Sequence, residues 1–238
     1  MDMDVLVFAA HPDDAELAMG GTIAKLTANG IKVGIADLTE AEMSTRGNPE
    51  SRKKETQIAS QILNLSARIN LHMPDGRLKA DDEYVDQVIS EIRKYKPKII
   101  FAPYFNDRHP DHIGASRIVK YAYFFSGVSK RETSYKDEKQ EAFRPDRLFY
   151  YMQSYKFEPT FIVDISTYFE PKMDAVKAYG SQFYNPDAPE PNTYISDPKF
   201  LGYLEARSKF YGFQIGKEYG EPFFSEEAVE LNLMGLLR

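Results

Sequence analysis

The chain of 238 residues is long enough to bury the core of an α/β domain, and we expect one domain spanning residues 1–238. Its 36 acidic side chains outnumber its 30 basic ones, and this net charge of −6 argues against nucleic acid or an anionic membrane surface as a partner. Cysteine is absent, which excludes disulfides and thiolate metal sites, so any metal must be held by nitrogen and oxygen.

The first half of the chain alternates predicted strands and helices. Short apolar runs predict strands over residues 5–10, 32–39, 68–73 and 99–104. Apolar residues at helical spacing predict helices between them: one from Asp14 to a stop at Asn29-Gly30, one capped by Asn48 with Ile58 and Ile62 on one face, and one over 85–92. This alternation predicts an α/β fold with a Rossmann-like, doubly wound, mainly parallel sheet.

The second half of the chain is less regular. Residues 148–152 and 161–165 are predicted strands, and residues 170–183 form a predicted helix. Two long segments, 127–146 and 184–199, have the composition of loops. Loops of this length in a compact domain usually serve as lids or partner surfaces, and a homo-oligomer is among the alternatives.

Three of the four histidines stand in two clusters, each following a predicted strand. The clusters are His11-Pro12-Asp13-Asp14 and His109-Pro110-Asp111-His112. Because ligands bind beyond the carboxyl ends of parallel strands, we expect the two clusters to meet at one sheet edge. Two imidazoles, one carboxylate and a water form an open catalytic zinc site. The same donors also suit iron, cobalt or manganese.

These motifs carry a resemblance to a known family. Both clusters and Gly20-Gly21-Thr22 resemble signatures of the N-acetylglucosaminyl-phosphatidylinositol deacetylase-like (PIG-L) family of zinc N-deacetylases. Further segments resemble the bacillithiol-pathway branch of that family, among them Asp37-Leu38-Thr39-Glu40, Met73-Pro74-Asp75-Gly76-Arg77 and Ala178-Tyr179-Gly180-Ser181-Gln182-Phe183. The resemblance implies removal of acetate from a small N-acetylglucosaminide, and in that branch from N-acetylglucosaminyl-malate.

The resemblance also implies a role for each residue of the two clusters. His11, Asp14 and His112 would bind one zinc ion per chain. Asp13 would be the general base and His109 its protonated partner. Adjacent side chains such as Asp13 and Asp14 diverge, so one can bind the metal while the other reaches the attacking water.

Two further residues are predicted at the site with an alternative beside each. Arg52 is expected to bind the sugar, because its guanidinium suits hydroxyl or carboxylate oxygens, or else to be one of the solvated charges around it. Asp111 is expected to orient a metal-binding histidine through the ring nitrogen that does not face the metal, or else to cap the following helix. The resemblance also implies a tyrosine near the oxyanion, and the sequence does not choose between Tyr194 and Tyr203.

Other functions remain as alternatives on sequence alone. They are a general N-acetylglucosamine or chitooligosaccharide deacetylase, a catalytically inactive sugar-binding protein that holds a metal, and a metal phosphoesterase. Gly20-Gly21 lacks the spacing of a dinucleotide-binding turn and predicts close helix packing instead. The sequence shows no basic leader and no apolar run of membrane-spanning length, so we expect a cytoplasmic protein without membrane contact.

Overall fold

A seven-stranded sheet forms the centre of the computed structural model, which describes residues 2–187 and 189–230. In chain order its strands are β1 (Val5–Ala9), β2 (Val33–Asp37), β3 (Ala67–Asn70), β4 (Ile99–Pro103), β7 (Arg147–Tyr151), β8 (Phe161–Asp164) and β9 (Gly220–Phe224). A separate hairpin, β5 (Ser134–Tyr135) and β6 (Glu138–Lys139), lies within the predicted loop 127–146. The order across the sheet is β3-β2-β1-β4-β7-β9-β8, and β9 runs antiparallel to both of its neighbours.

Helices cover both faces of this sheet. One apolar core lies beneath α1 (Asp14–Ala28), α2 (Pro49–Ile62), α5 (Phe169–Lys177) and α6 (Phe200–Gln214). The other lies beneath α3 (Asp82–Tyr95) and α4 (Pro110–Ser126). The predicted doubly wound, mainly parallel sheet is therefore confirmed. Within 2–187 and 189–230, no helix combines the length and apolar character that crossing a bilayer requires.

Several predicted elements differ in extent from the structure. The helix predicted over 170–183 ends at Lys177, and neither α6 nor β9 was predicted. Asn48 and Pro49 begin α2 as predicted, and the Asn48 side chain accepts a hydrogen bond from the backbone N–H of Ser51 at 2.9 Å. The predicted apolar face of α2 is wrong as a packing face, because Ile58 and Ile62 are 50% and 39% exposed. The helix instead buries residues 52, 56 and 59.

The switch point of the sheet lies between β1 and β4. These strands are parallel neighbours, with Val5 paired to Ile99 and Val7 to Phe101. The chain leaves β1 toward β2 on one side and leaves β4 toward β7 on the other, which opens a crevice at their carboxyl ends. The loops that leave this edge after β1 and β4 carry the two histidine clusters.

A buried ion pair between Lys172 on α5 and Glu221 on β9 holds the middle of α1 against the sheet. The helix has a non-helical backbone at Met19, and the next turn presents free N–H groups. Glu221 on β9 accepts hydrogen bonds from the N–H groups of Gly21 at 3.0 Å and Thr22 at 2.7 Å, and from Lys172 Nζ at 2.6 Å. Burial lowers the pKa of Lys172, opposed by the Glu221 carboxylate. A Cβ on Gly21 would come 2.7 Å from Ile165, which confirms the predicted close packing.

Glu221→Gln is expected to destabilise the protein strongly. The variant keeps the side-chain shape but leaves the Lys172 ammonium buried without a counter-charge, which costs about 3 to 5 kcal/mol in the free energy of unfolding. Urea unfolding would measure the loss. Glu50→Gln, which breaks the exposed Lys54–Glu50 pair, is the control and should cost less than about 1 kcal/mol. Equal losses in the two variants would contradict a structural role for the buried pair.

Candidate active site

The two histidine clusters meet at the switch point, as predicted. The ring centroids of His11 and His109 lie 4.9 Å apart, and those of His109 and His112 also lie 4.9 Å apart. His11 stands in the turn after β1, and His112 lies in the first turn of α4. Residues separated by about 100 positions in the chain therefore share one cluster because parallel strands end at one edge.

Asp14 lies between two of these histidines. Its Oδ2 is 3.4 Å from Nδ1 of His11, and its Oδ1 is 3.3 Å from Nε2 of His112. Bonds of 2.0 to 2.1 Å to a tetrahedral zinc place neighbouring donor atoms about 3.3 Å apart. Asp14 therefore stands at metal-ligand spacing from each histidine, through Oδ2 for His11 and through Oδ1 for His112.

The remaining nitrogen of each of these histidines faces a second carboxylate. His11 Nε2 lies 3.1 Å from Asp75 Oδ1, and His112 Nδ1 lies 2.8 Å from Asp107 Oδ1. A carboxylate behind a histidine is the usual way in which proteins orient an imidazole toward a metal. Burial lowers the pKa of His112, but Asp14 and Asp107 outweigh it and raise that pKa to about 9. The pocket therefore favours positive charge at this point, which a metal ion would supply in place of the proton.

Neither Asp75 nor Asp107 was predicted as a site residue. Asp75 belongs to the predicted turn 74–77, and Asp107 stands two residues before His109 in the loop after β4. The available signal was their position after strands that end at the same edge as β1. Among the described residues, donor atoms that all lie within 4.8 Å of one another occur in two sets, neither of which includes Asp14: His11, His109 and His112 form one, and His11, Asp75 and Asp111 form the other.

Asp13 is held in an uncommon backbone conformation against Arg52. Its φ is 119°, and its carboxylate accepts a 2.9 Å hydrogen bond from Arg52 Nη1. Burial raises the pKa of Asp13 to about 7, although the Arg52 charge opposes the rise. A carboxylate with a pKa near neutrality is suited to accepting a proton during a reaction.

His109 forms the N-cap of α4. Its Nδ1 accepts a 3.2 Å hydrogen bond from the backbone N–H of Asp111, and this bond assigns the ring proton of the neutral form to Nε2. Burial, together with the charges of His11 and His112, lowers the pKa of His109. In either charge state Nε2 offers an N–H donor, and the cationic role that the sequence resemblance implies stays a prediction.

Arg52 lies inside the protein, so the alternative of a solvated surface charge is wrong. The side chain extends from the first turn of α2 and is 5% exposed. Besides Asp13, its guanidinium donates to the Pro12 carbonyl and, at 3.3 Å, to Ser44 Oγ. Arg52 also lines the cavity beside the histidines, so its predicted contact with the sugar stays a prediction.

Asp111 supports the turn that carries Asp75. Its carboxylate accepts hydrogen bonds from the N–H groups of Gly76 at 2.6 Å and Leu78 at 3.1 Å, and it lies 3.5 Å from His11 Nε2. The helix-cap alternative is wrong, because His109 supplies the side-chain cap of α4. The predicted orienting role stays a prediction.

A cavity of about 460 Å³ opens beside the cluster, which is a size suited to a small ligand. Its walls include Leu17, Phe200, Tyr203 and Leu204, with Gln153 as a polar neighbour. Residues 193–195 of the predicted loop 184–199 close one side. The exposed Arg108 lies there, with its guanidinium carbon 4.5 Å from the centre of the Tyr194 ring.

The fold and the site define a hydrolase of the α/β class with a candidate metal site of histidine and aspartate. The chain belongs to the PIG-L family: residues 6–123 match the family described as GlcNAc-PI de-N-acetylase. Over 229 residues it is 30% identical to diacetylchitobiose deacetylase of Thermococcus kodakarensis, covering 91% of this chain and 80% of that protein.

Two further comparisons bear on the branch and on the fold. The probable N-acetyl-alpha-D-glucosaminyl L-malate deacetylase 2 of Bacillus cereus is 29% identical, covering 76% of this chain and 84% of that protein. The crystal structure of a conserved protein from Thermus thermophilus superposes with a TM-score of 0.86 at 39% identity, covering 96% of this chain and 97% of that one. Deacetylases with two different named substrates thus match at nearly equal identity, the diacetylchitobiose enzyme over the larger share of this chain, which shows the family but not the branch.

Proposed function

We propose that this protein removes acetate from a small N-acetylglucosaminide by metal-assisted hydrolysis, with His11, Asp14 and His112 holding one zinc ion. The observation that carries the proposal is the position of Asp14, whose two oxygens face one nitrogen of each histidine. Two nitrogens and one carboxylate leave a coordination position open, as catalytic rather than structural zinc sites do.

The side chains around the metal site divide the proton transfers between them. Bound zinc would supply Lewis-acid polarisation and lower the pKa of the attacking water. Asp13 accepts a proton from that water while the water oxygen bonds to the acetamide carbonyl carbon. His109 donates from Nε2 toward the developing oxyanion, which stabilises the charge. The carbon–nitrogen bond then breaks as Asp13 passes its proton to the departing amine, and acetate and a free glucosamine amine are released.

Arg52 has two parts in this proposal. Its Nη1 holds the Asp13 carboxylate, which keeps the base directed at the water. Arg52 also lines the cavity, where it would bind sugar hydroxyls. Tyr194 and Tyr203 both line the cavity, and we propose Tyr194 near the oxyanion because its ring contacts Arg108, the residue before His109.

We further propose N-acetylglucosaminyl-malate as the substrate, because the cavity mouth offers a cation for an anionic aglycone. Arg46 is buried and donates to the Ser181 carbonyl at 3.2 Å. Of the arginines that line the cavity, Arg52 is paired with Asp13 and Arg207 is buried against backbone carbonyls, so Arg108 is the exposed one. The second candidate is an N-acetylated chitooligosaccharide, which the 30% identity to diacetylchitobiose deacetylase favours. The aromatic walls of Phe200 and Tyr203 would suit its second sugar ring.

Arg108→Ala separates these two substrates. Loss of a charge-assisted contact worth about 1.5 to 3 kcal/mol should lower kcat/KM for the malate conjugate by about 10- to 150-fold. For N,N'-diacetylchitobiose the change in kcat/KM should stay within about threefold, because this uncharged substrate makes no charge-assisted contact with Arg108. Acetate release by the zinc-loaded protein measures both rates.

Arg144→Ala is the matched control, because Arg144 also stacks on an aromatic ring, that of Phe124 at 4.8 Å, but is not among the residues lining the cavity. It should leave both rates unchanged. Equal losses on the two substrates in Arg108→Ala, or faster wild-type turnover of the disaccharide, would replace the malate assignment with a general deacetylase. Zinc binding without acetate release from any N-acetylglucosaminide would favour the inactive sugar-binding protein, and phosphate release would favour a phosphoesterase.

A further inference from the structure

Asp107 connects one histidine of the cluster to a wall of the cavity. The carboxylate is buried in the loop between β4 and α4. Its Oδ1 lies 2.8 Å from His112 Nδ1 and accepts the N–H of His109 at 3.1 Å. Its Oδ2 accepts the N–H groups of Ser154 at 2.7 Å and Tyr155 at 3.2 Å, in the loop after β7. One side chain thus ties His112 to a segment of which Gln153 and Ser154 line the cavity.

Asp75 makes an equivalent connection on the opposite side. Its Oδ1 lies 3.1 Å from His11 Nε2, and its Oδ2 accepts the Met43 N–H at 2.9 Å. The Asp75 N–H in turn donates to Glu42 at 2.7 Å. Met43 and Ser44 line the cavity, so His11 is tied to the wall formed by the loop after β2.

We propose that Asp75 and Asp107 are positioning residues that couple metal binding to the order of the two cavity walls. The inference rests on the proposed function, because it takes His11 and His112 as metal ligands. Each carboxylate holds its histidine with one oxygen and a wall loop with the other. A metal that fixes the two imidazoles therefore also fixes both carboxylates, and through them the backbone N–H groups of Met43, Ser154 and Tyr155.

The coupling requires both oxygens of each carboxylate. A carboxylate has two acceptor oxygens, so it can hold a ring N–H and backbone N–H groups at the same time. An asparagine has one oxygen and one NH₂ group, and the NH₂ group cannot accept a bond from a backbone N–H. Asp107→Asn must therefore give up either His112 or the loop 154–155. Loss of an orienting partner typically weakens metal binding by about 10- to 100-fold.

The test measures zinc affinity by competition with a chromogenic chelator and follows backbone hydrogen exchange with and without zinc. We expect Asp107→Asn and Asp75→Asn to raise the zinc dissociation constant by about 10- to 100-fold. In the wild-type protein, zinc should slow exchange at Met43, Ser154 and Tyr155. In Asp107→Asn, this slowing should be lost at Ser154 and Tyr155 but kept at Met43.

Asp164→Asn is the matched control, because Asp164 also accepts backbone and hydroxyl bonds, here from Ser166, but has no hydrogen bond to a histidine. It should leave zinc affinity unchanged. Unaltered affinity in Asp107→Asn, or equal wild-type exchange with and without zinc, would overturn the coupling. If Asp107→Asn does not fold, the wild-type exchange decides, together with nitrogen NMR of His112, which should show the ring proton on Nδ1. Wild-type protein that fails to bind zinc would refute the proposed function instead.

Discussion

Replacing Asp13 with asparagine is expected to lower turnover by about two to four orders of magnitude at unchanged zinc content. Asparagine cannot take the proton from the attacking water, but it keeps the size of the side chain. It is also among the residues that best tolerate positive φ, so the 119° backbone at this position should persist. Alanine would remove both properties and would confuse a backbone change with loss of the base.

The measurement is acetate release in single-turnover conditions, with zinc quantified in the same samples. Asp164→Asn serves as the control for removing a carboxylate elsewhere and should retain wild-type rates. Burial raises the pKa of Asp13, so ionisation of this carboxyl does not stabilise the folded protein, and the Arg52 guanidinium can still donate to the asparagine oxygen and to the Pro12 carbonyl. We therefore expect the melting temperature of Asp13→Asn to stay close to that of the wild type, unlike that of Glu221→Gln. A near-normal rate at matched zinc occupancy would exclude Asp13 as the general base.

Asp14→Ala is expected to abolish stoichiometric zinc binding, whereas His109→Ala is expected to keep it. The two variants distinguish the donor sets that the geometry allows, because three histidines also converge within bonding reach of one ion. Asp14 lies between His11 and His112, so its removal takes away the carboxylate of the proposed ligand set. His109 directs Nδ1 to the Asp111 N–H, and its loss should lower turnover rather than metal content.

Metal analysis after dialysis against excess zinc would measure the bound ion per chain in both variants, with His72→Asn as a control, because asparagine tolerates the φ of 52° at this position. His72 pairs with the exposed Glu40 at 3.0 Å and has no contact with the cluster, so its removal should change neither quantity. Full occupancy in Asp14→Ala together with loss of zinc in His109→Ala would replace the proposed ligands with the three-histidine set. His11→Ala and His112→Ala should lose zinc under either assignment.

Local patterns in the amino-acid sequence were enough to predict the order of strands and helices in the first half and the meeting of the two histidine clusters. An apolar run marks a buried strand, helical spacing and an Asn48 cap mark a helix, and parallel strands end at one edge. The positions of His11 and His112 after β1 and β4 were therefore predictable without knowing any contact. The second half was less predictable, because α6 has apolar residues on most of its circumference and only a weak periodic signal.

Only the tertiary structure showed which polar side chains are buried and which groups each of them bonds to. Arg52 lies on the packed face of α2 because Asp13 and the Pro12 carbonyl provide partners for its charge, while Ile58 on the same helix stays exposed. Asp107 and Asp75 acquire their roles from loops distant in sequence. Apolar spacing along the chain predicts which face of a helix or strand packs inward. A charged side chain can be buried only beside a partner on another element, and only the folded chain supplies that partner.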